Sequence, residues 1–131
     1  MKKRVRTLHV GIASREAQRA RMLAIAKGEH KPTADEPKVW FTSIESLAQV
    51  LSDRNRMLLD LIAQSKPASI AELAVLSGRA RSNLWRTLRT MEAYRLVELR
   101  PAAHRRVEPR LTYERLNLDV HLGESARQSV A

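Results

Sequence analysis

Between residues 69 and 111 the sequence leaves the backbone few options. Ser69-Ile70-Ala71-Glu72 is a capping box: the serine side chain can accept from a first-turn N–H, and the glutamate is placed to return the bond. Ile70, Leu73 and Ala74, with Leu76, form the apolar side of a helix about two turns long. Ser77-Gly78 ends it, because glycine takes the left-handed geometry of a sharp turn without steric cost. A longer helix is predicted from about residue 81 to 93, since Leu84, Leu88 and Met91 recur at spacings of four and three. Two short extended runs follow, 96–100 and 106–111. Pro101-Ala102-Ala103-His104-Arg105 lies between them as a hairpin tip. A short braced helix, a glycine turn, a longer helix and a hairpin make a winged helix-turn-helix.

The flanking sequence adds strands and further helices. Residues 5–12 read as a strand in which Leu8, Val10 and Ile12 alternate with His9 and Gly11. Ser14 caps a helix running to about Lys27, with Gly28 as its stop and Arg15 and Arg19 on one face. Residues 28–37 hold two prolines and no apolar periodicity, the marks of a linker. Val39 to Phe41 is a short apolar segment. Thr42-Ser43-Ile44-Glu45 fits another capping box, opening a helix with Ile44, Leu47 and Leu51 as its stripe. Ser52 caps the next, with Leu58, Leu61 and Ile62 inward, and Pro67 bars its continuation. In residues 115–122, Leu116, Leu118, Val120 and Leu122 point one way and Asn117, Asp119 and His121 the other. The last eight residues read as a frayed tail. The expected class is α+β and helix-dominated, a winged helix-turn-helix core with N- and C-terminal strands. The expected division is 1–36 as strand-helix extension and linker, 37–111 as the winged domain, and 112–131 as terminal strand and tail.

Charge narrows the function. The chain carries 24 Lys and Arg against 14 Asp and Glu, net +10. Residues 1–31 hold nine cations and two acids, and residues 79–110 nine and three, whereas 32–78 and 111–131 are slightly acidic. Two basic blocks on a near-neutral body point to a polyanion. With 131 residues, 44% apolar, there is material for one core and no run near the roughly 20 residues of a membrane span. No secretory apolar segment follows Lys2, Lys3, Arg4 and Arg6, so a cytoplasmic protein is expected. The absence of cysteine excludes disulfides and thiolate zinc sites. His9, His30, His104 and His121 lack ligand spacing, Asp53 and Asp60 read as surface carboxylates, and no phosphate loop, nucleophile elbow or HExxH occurs. A non-enzyme without cofactor or metal is expected.

With Leu84, Leu88 and Met91 inward, the opposite helix face centres on Ser82, Arg86 and Arg89. Asn83 and Thr90 flank one side and Trp85 the other. Ser, Asn and Arg suit base edges and phosphates in the major groove. Arg79 and Arg81 fall at the helix N-terminus, where such dockings meet the DNA backbone. His104, Arg105 and Arg106 are offered by the hairpin tip. The expected DNA-contacting set is therefore Arg79, Arg81, Ser82, Asn83, Arg86, Arg89, Arg105 and Arg106, on double-stranded DNA. RNA is the weaker reading, because single-strand readers stack bases on aromatics and the chain has five.

The stretch SIAELAVLSGRARSNLWRTLRTMEAYRLVEL resembles the DNA-binding core of MarR-type winged-helix regulators, over about residues 69–111. A strand and helix ending near Gly28-Glu29, the helical lead-in WFTSIESLAQVLSDRNRMLLDLI and a strand like RLNLDV extend the likeness. Over about residues 8–120 the pattern is similar to a family of small winged-helix regulators. The resemblance implies a transcriptional regulator, most simply a repressor occluding a promoter. Some members of that family look like antitoxins encoded beside a small toxin, which implies a cognate toxin as an alternative partner. The basic stretch of residues 2–31, which a winged core does not need, motivates that alternative. Two positions depart from the pattern. Arg95 stands where glycine usually follows the recognition helix, and Trp85 where a small residue is usual, packing either on DNA or, the favoured reading, within protein. The two terminal strands must each pair with something. They can pair with each other or across a two-fold axis. A homodimer built from the termini is favoured, as repressors reading palindromes are usually dimers.

Overall fold

Serine hydroxyls open all of the described α-helices but one. We describe residues 5–123 of a computed structural model. The basic Lys2, Lys3 and Arg4 and the tail of the last eight residues lie outside the described residues. In chain order the elements are β1 (Thr7–Ile12), α1 (Arg15–Ala26), β2 (Val39–Phe41), α2 (Ile44–Val50), α3 (Asp53–Ser65), α4 (Ile70–Ser77) and α5 (Arg81–Ala93). Then come β3 (Val97–Pro101), a 3-10 turn at Ala103–Arg105, β4 (Val107–Leu111) and β5 (Arg115–Asp119). Ser14, Ser52 and Ser69 accept from the amides of Ala17, Asn55 and Glu72 at 3.0–3.2 Å. The box at the start of α2 joins Ser43 and Ser46 rather than Thr42 and Glu45. Each serine side chain accepts from the other's amide, at 3.0 and 3.2 Å. The class is α+β and helix-rich, as expected.

The described residues divide into two compact units, one of Ala48–Glu114 with residues 5–6 and one of Thr7–Leu47 with residues 115–123. The first is the winged unit. Leu58 and Ile62 of α3, Ile70 and Leu73 of α4, and Leu84, Leu88 and Met91 of α5 are buried with Leu96 and Val97. Leu76, expected on the buried side of α4, is 48% exposed, because this short helix turns its apolar side inward only as far as Leu73. Gly78 takes φ +72° in the α4–α5 turn, as its place in the sequence implied. β3 and β4 pair antiparallel, Val97 opposite Leu111 and Pro101 opposite Val107. The Arg110 guanidinium donates to the carbonyls of Pro67 and Pro109 at 2.7 Å, tying the returning strand to the α3–α4 loop.

α5 ends in a Schellman motif carried by a non-glycine residue. The Leu96 amide donates to the Met91 carbonyl at 2.8 Å and the Arg95 amide to Glu92 at 2.9 Å. Arg95 has φ +63°, the left-handed geometry its position demanded.

The second unit overturns the linker expectation. β1 is the centre of a parallel three-stranded sheet in the order β2-β1-β5. α1 with residues 27–38 forms the crossover from β1 to β2, so Val39–Phe41 belongs to this sheet and not to the winged domain. The boundary expected at residue 36 instead falls within α2. The crossover is pinned. Arg21 donates to the Glu36 carboxylate at 2.6 Å, and the His30 ring nitrogen lies 2.9 Å from the same oxygen. These partners, His30 first and then Arg21, lower the Glu36 pKa to about 2. The Arg21 guanidinium lies 5.2 Å from the Trp40 ring centre. The terminal strands pair within the chain, Leu8 beside Leu116 and Val10 beside Leu118, so β1 has no edge left for a second copy. In α2, Leu47 and Val50 are buried while Ile44 is exposed, so the stripe runs through Leu47 and Val50 and leaves Ile44 outside it.

Gly11 is required by the ring laid across it. A Cβ there would sit 2.6 Å from Trp40 Cε3 and 3.0 Å from Pro37 Cγ. Gly11→Ala should cost about 1–3 kcal/mol by overpacking. The check is a denaturation curve followed by Trp40 fluorescence in a Trp85→Phe background, which leaves Trp40 as the sole tryptophan. Arg95→Gly should raise stability by about 0.5–1 kcal/mol, since left-handed backbone costs a non-glycine residue about 1–2 kcal/mol and glycine's extra chain entropy returns part of that. A denaturant midpoint that does not rise would refute it.

Candidate nucleic-acid interface

Burial sets the orientation of α5. Leu84, Leu88 and Met91 are fully buried, which turns Arg81, Ser82, Asn83, Arg86, Arg89 and Thr90 outward, all exposed. Among the described residues, no hydrogen bond or ion pair engages the side chains of Arg81, Ser82, Asn83 or Arg86. The start of α5 differs from those of α3 and α4. Ala80 stands at its N-cap, so no side chain accepts from the first-turn amides, and that turn holds no acid. Unsatisfied amides and the helix dipole favour an anion there.

Trp85 is half-buried, and the Arg89 guanidinium lies 5.7 Å from its ring centre. The indole therefore lies between the burial and groove readings and gives Arg89 a stacking partner. The wing tip is a tight turn in which His104 and Arg105 both take left-handed backbone, φ +61° and +60°. The Ala102 amide donates to the Arg106 carbonyl at 2.8 Å, closing the loop. Arg105 and Arg106 are exposed.

Arg79 stands apart from the other expected cations. Its guanidinium donates to Asn55 Oδ1 at 3.1 Å and to the Arg54 carbonyl at 2.8 Å. Asn55 also donates through Nδ2 to the Val50 carbonyl at 3.1 Å, and its amide donates to Ser52 Oγ. One asparagine thus joins the end of α2, the start of α3 and the α4–α5 turn. Burial, and then the charge of Arg54, lower the Arg79 pKa. Sequence reasoning gave no place to Arg54. Its position in the first turn of α3 carries no sign that this turn abuts Arg79, and only the fold brings the two cations together.

Fold and face together define a winged helix-turn-helix protein. The sequence profile of the HVO_A0114 family matches residues 50–118, more than half of the chain, and the chain belongs to that family. No curated protein matches it in sequence. A solved structure described as "Crystal structure of the predicted DNA-binding transcriptional regulator from E. coli" is similar over 85% of this chain and 90% of that one, at 16% identity and a TM-score of 0.45. Among the described residues, no helix is long and apolar enough to cross a membrane.

The two kinds of arginine should separate by measurement. Arg79→Ala should lower stability by about 1–2 kcal/mol, because it removes two charge-assisted hydrogen bonds that are partly open to solvent. The double change Arg105→Ala with Arg106→Ala should shift the same denaturation midpoint by no more than about 0.5 kcal/mol. Equal losses would refute the distinction.

Proposed function

We propose that this protein is a sequence-specific double-stranded DNA-binding regulator, acting as a dimeric repressor in the manner of MarR-type proteins. The observation that carries the reading is the outward face of α5. It presents Arg81, Ser82, Asn83 and Arg86 exposed and, among the described residues, with no partner for their side chains, on a helix whose rotation is locked by three fully buried side chains. In this reading α5 enters the major groove, where Ser82, Asn83, Arg86 and Arg89 read base edges. Arg81 and the open amides of the α5 N-terminus hold phosphate, and Arg105 and Arg106 hold it from the wing. Arg79 supports the interface by bracing the turn. Positioning plus base readout needs no cofactor, and repression follows from occupying a promoter.

A second reading is supported by the separate sheet unit. Its helix α1 exposes Met22 and Leu23, 71% and 54%, on a unit distinct from the winged one. An antitoxin that also represses its own operon would hold its toxin there. A toxin-like reading frame beside the gene, and co-purification of its product, discriminate the two.

Selection of DNA fragments by the purified protein identifies the site, and mobility shifts then test the roles. Arg86→Ala should cost about 1–3 kcal/mol of specific affinity and relax preference at one base position. The Arg105 and Arg106 double alanine should instead weaken all sequences alike and flatten the log–log salt dependence by about one unit for each phosphate left unneutralised. Unchanged specific affinity in Arg86→Ala would overturn the assignment of the reading face.

A further inference from the structure

The sheet of the second unit has two edges, and they are treated differently. β2 is three residues long and is preceded by the buried Pro37, devices that blunt a sheet edge. β5 has neither protection. Among the described residues it pairs with β1 on one side only, and it offers five residues free of proline on the other.

The sequence of that edge is complementary to itself. Arg115-Leu116-Asn117-Leu118-Asp119, run antiparallel to a copy about Asn117, sets Arg115 opposite Asp119, Leu116 opposite Leu118 and Asn117 opposite Asn117. The register with β1 places Leu116 and Leu118 on the face of Leu8 and Val10, and Arg115, Asn117 and Asp119 on the other. Both leucines therefore meet leucines on one face, and both charges meet opposite charges on the other. A one-residue slip sets leucine against asparagine. A two-residue slip sets Leu118 against Glu114 or Arg115 against His121. Leu118 is 41% exposed, and Arg115 and Asp119 are exposed. Among the described residues of its own chain, Asp119 has only a loose 3.7 Å pairing with His121.

We infer that two copies of the chain associate through antiparallel pairing of their β5 edges, joining two three-stranded sheets into one of six strands around a two-fold axis at Asn117. This gives the dimer of the proposed regulator a definite interface. It rests on that reading only for its use, because the pairing is measurable without DNA.

Sedimentation of the full chain tests it. The parent should weigh twice 14.9 kDa, and Arg115→Asp and Asp119→Arg should each fall to 14.9 kDa. An equimolar mixture of the two variants should recover the doubled mass, since each then faces its opposite charge. That recovery also shows that both variants are folded. The chain has no cysteine, so Asn117→Cys introduces a lone thiol that should oxidise to a disulfide-linked dimer, while Val75→Cys, on the exposed side of α4, should not. A monomeric parent, a doubled mass retained by both charge variants, or a mixture that stays monomeric would overturn the inference. Sequence-selective DNA binding by a monomeric parent would overturn this interface alone. A β5-paired dimer that selects no DNA sequence would overturn the regulator reading alone.

Discussion

The burial of Leu84, Leu88 and Met91 is the constraint from which the winged unit follows. Truncating any such side chain leaves a cavity costing about 2–5 kcal/mol, so the helix has no competitive alternative rotation. Once those three point inward, the geometry of 3.6 residues per turn sends Ser82, Arg86 and Arg89 outward. The rest of the unit holds that helix in place. α4 supplies Ile70 and Leu73 beneath it, Gly78 permits the turn, and the Arg79–Asn55 contact fastens the turn to the start of α3. The cationic face thus results from apolar packing, and its direction needs no partner to set it.

Formal charge overstates what a polyanion would meet, because several arginines are already engaged. Arg21 is held by Glu36 and Trp40, Arg110 by two proline carbonyls, Arg79 by Asn55 and the Arg54 carbonyl, and Arg100 by Glu98 at 3.1 Å. Arg81, Arg86, Arg105 and Arg106 carry no such side-chain partner among the described residues, and all four lie on α5 or the wing tip. A cation already hydrogen-bonded within the fold must lose that bond to reach a phosphate, whereas an exposed one exchanges only water. Within residues 79–110, the charge still available to a polyanion is therefore concentrated on α5 and at the ends of the hairpin.

The winged unit was legible because its signals are local. The α5 stripe, the serine caps and Gly78 each act within one or two turns of chain, and the bounds of α5 agree with its apolar spacing. The sheet was not legible in the same way. β1 and β5 meet across nearly the whole sequence, and alternation in each strand shows an apolar face without naming its partner. Residues 28–37 resembled a linker because prolines and mixed charges mark any irregular segment. What makes them a fixed crossover is the contact of Glu36 with Arg21 and His30, which no spacing rule reveals. Gly11 read only as an alternating position of a strand, and the reason for a glycine there appears when Trp40 lies on it. Within the interface the same divide holds. The outward face of α5 came from periodicity, while the engagement of Arg79 depended on where α3 begins.

Backbone strain brackets the wing. Arg95 at its entrance and His104 and Arg105 at its tip all adopt left-handed geometry, where glycine would be at ease. Each position costs on the order of 1–2 kcal/mol, a large share of the stability of a small domain. Stability alone would place glycine at these positions. All three instead carry side chains that are cationic or can become so, and all three are exposed. The Schellman hydrogen bonds at Arg95 and the closed loop from Ala102 to Arg106 supply the determination that such strain requires. On the proposed reading, stability is given up for charge at the ends of the hairpin. A tight tip also holds Arg105 on short, fixed backbone, which reduces the entropy lost when its guanidinium is immobilised on a phosphate.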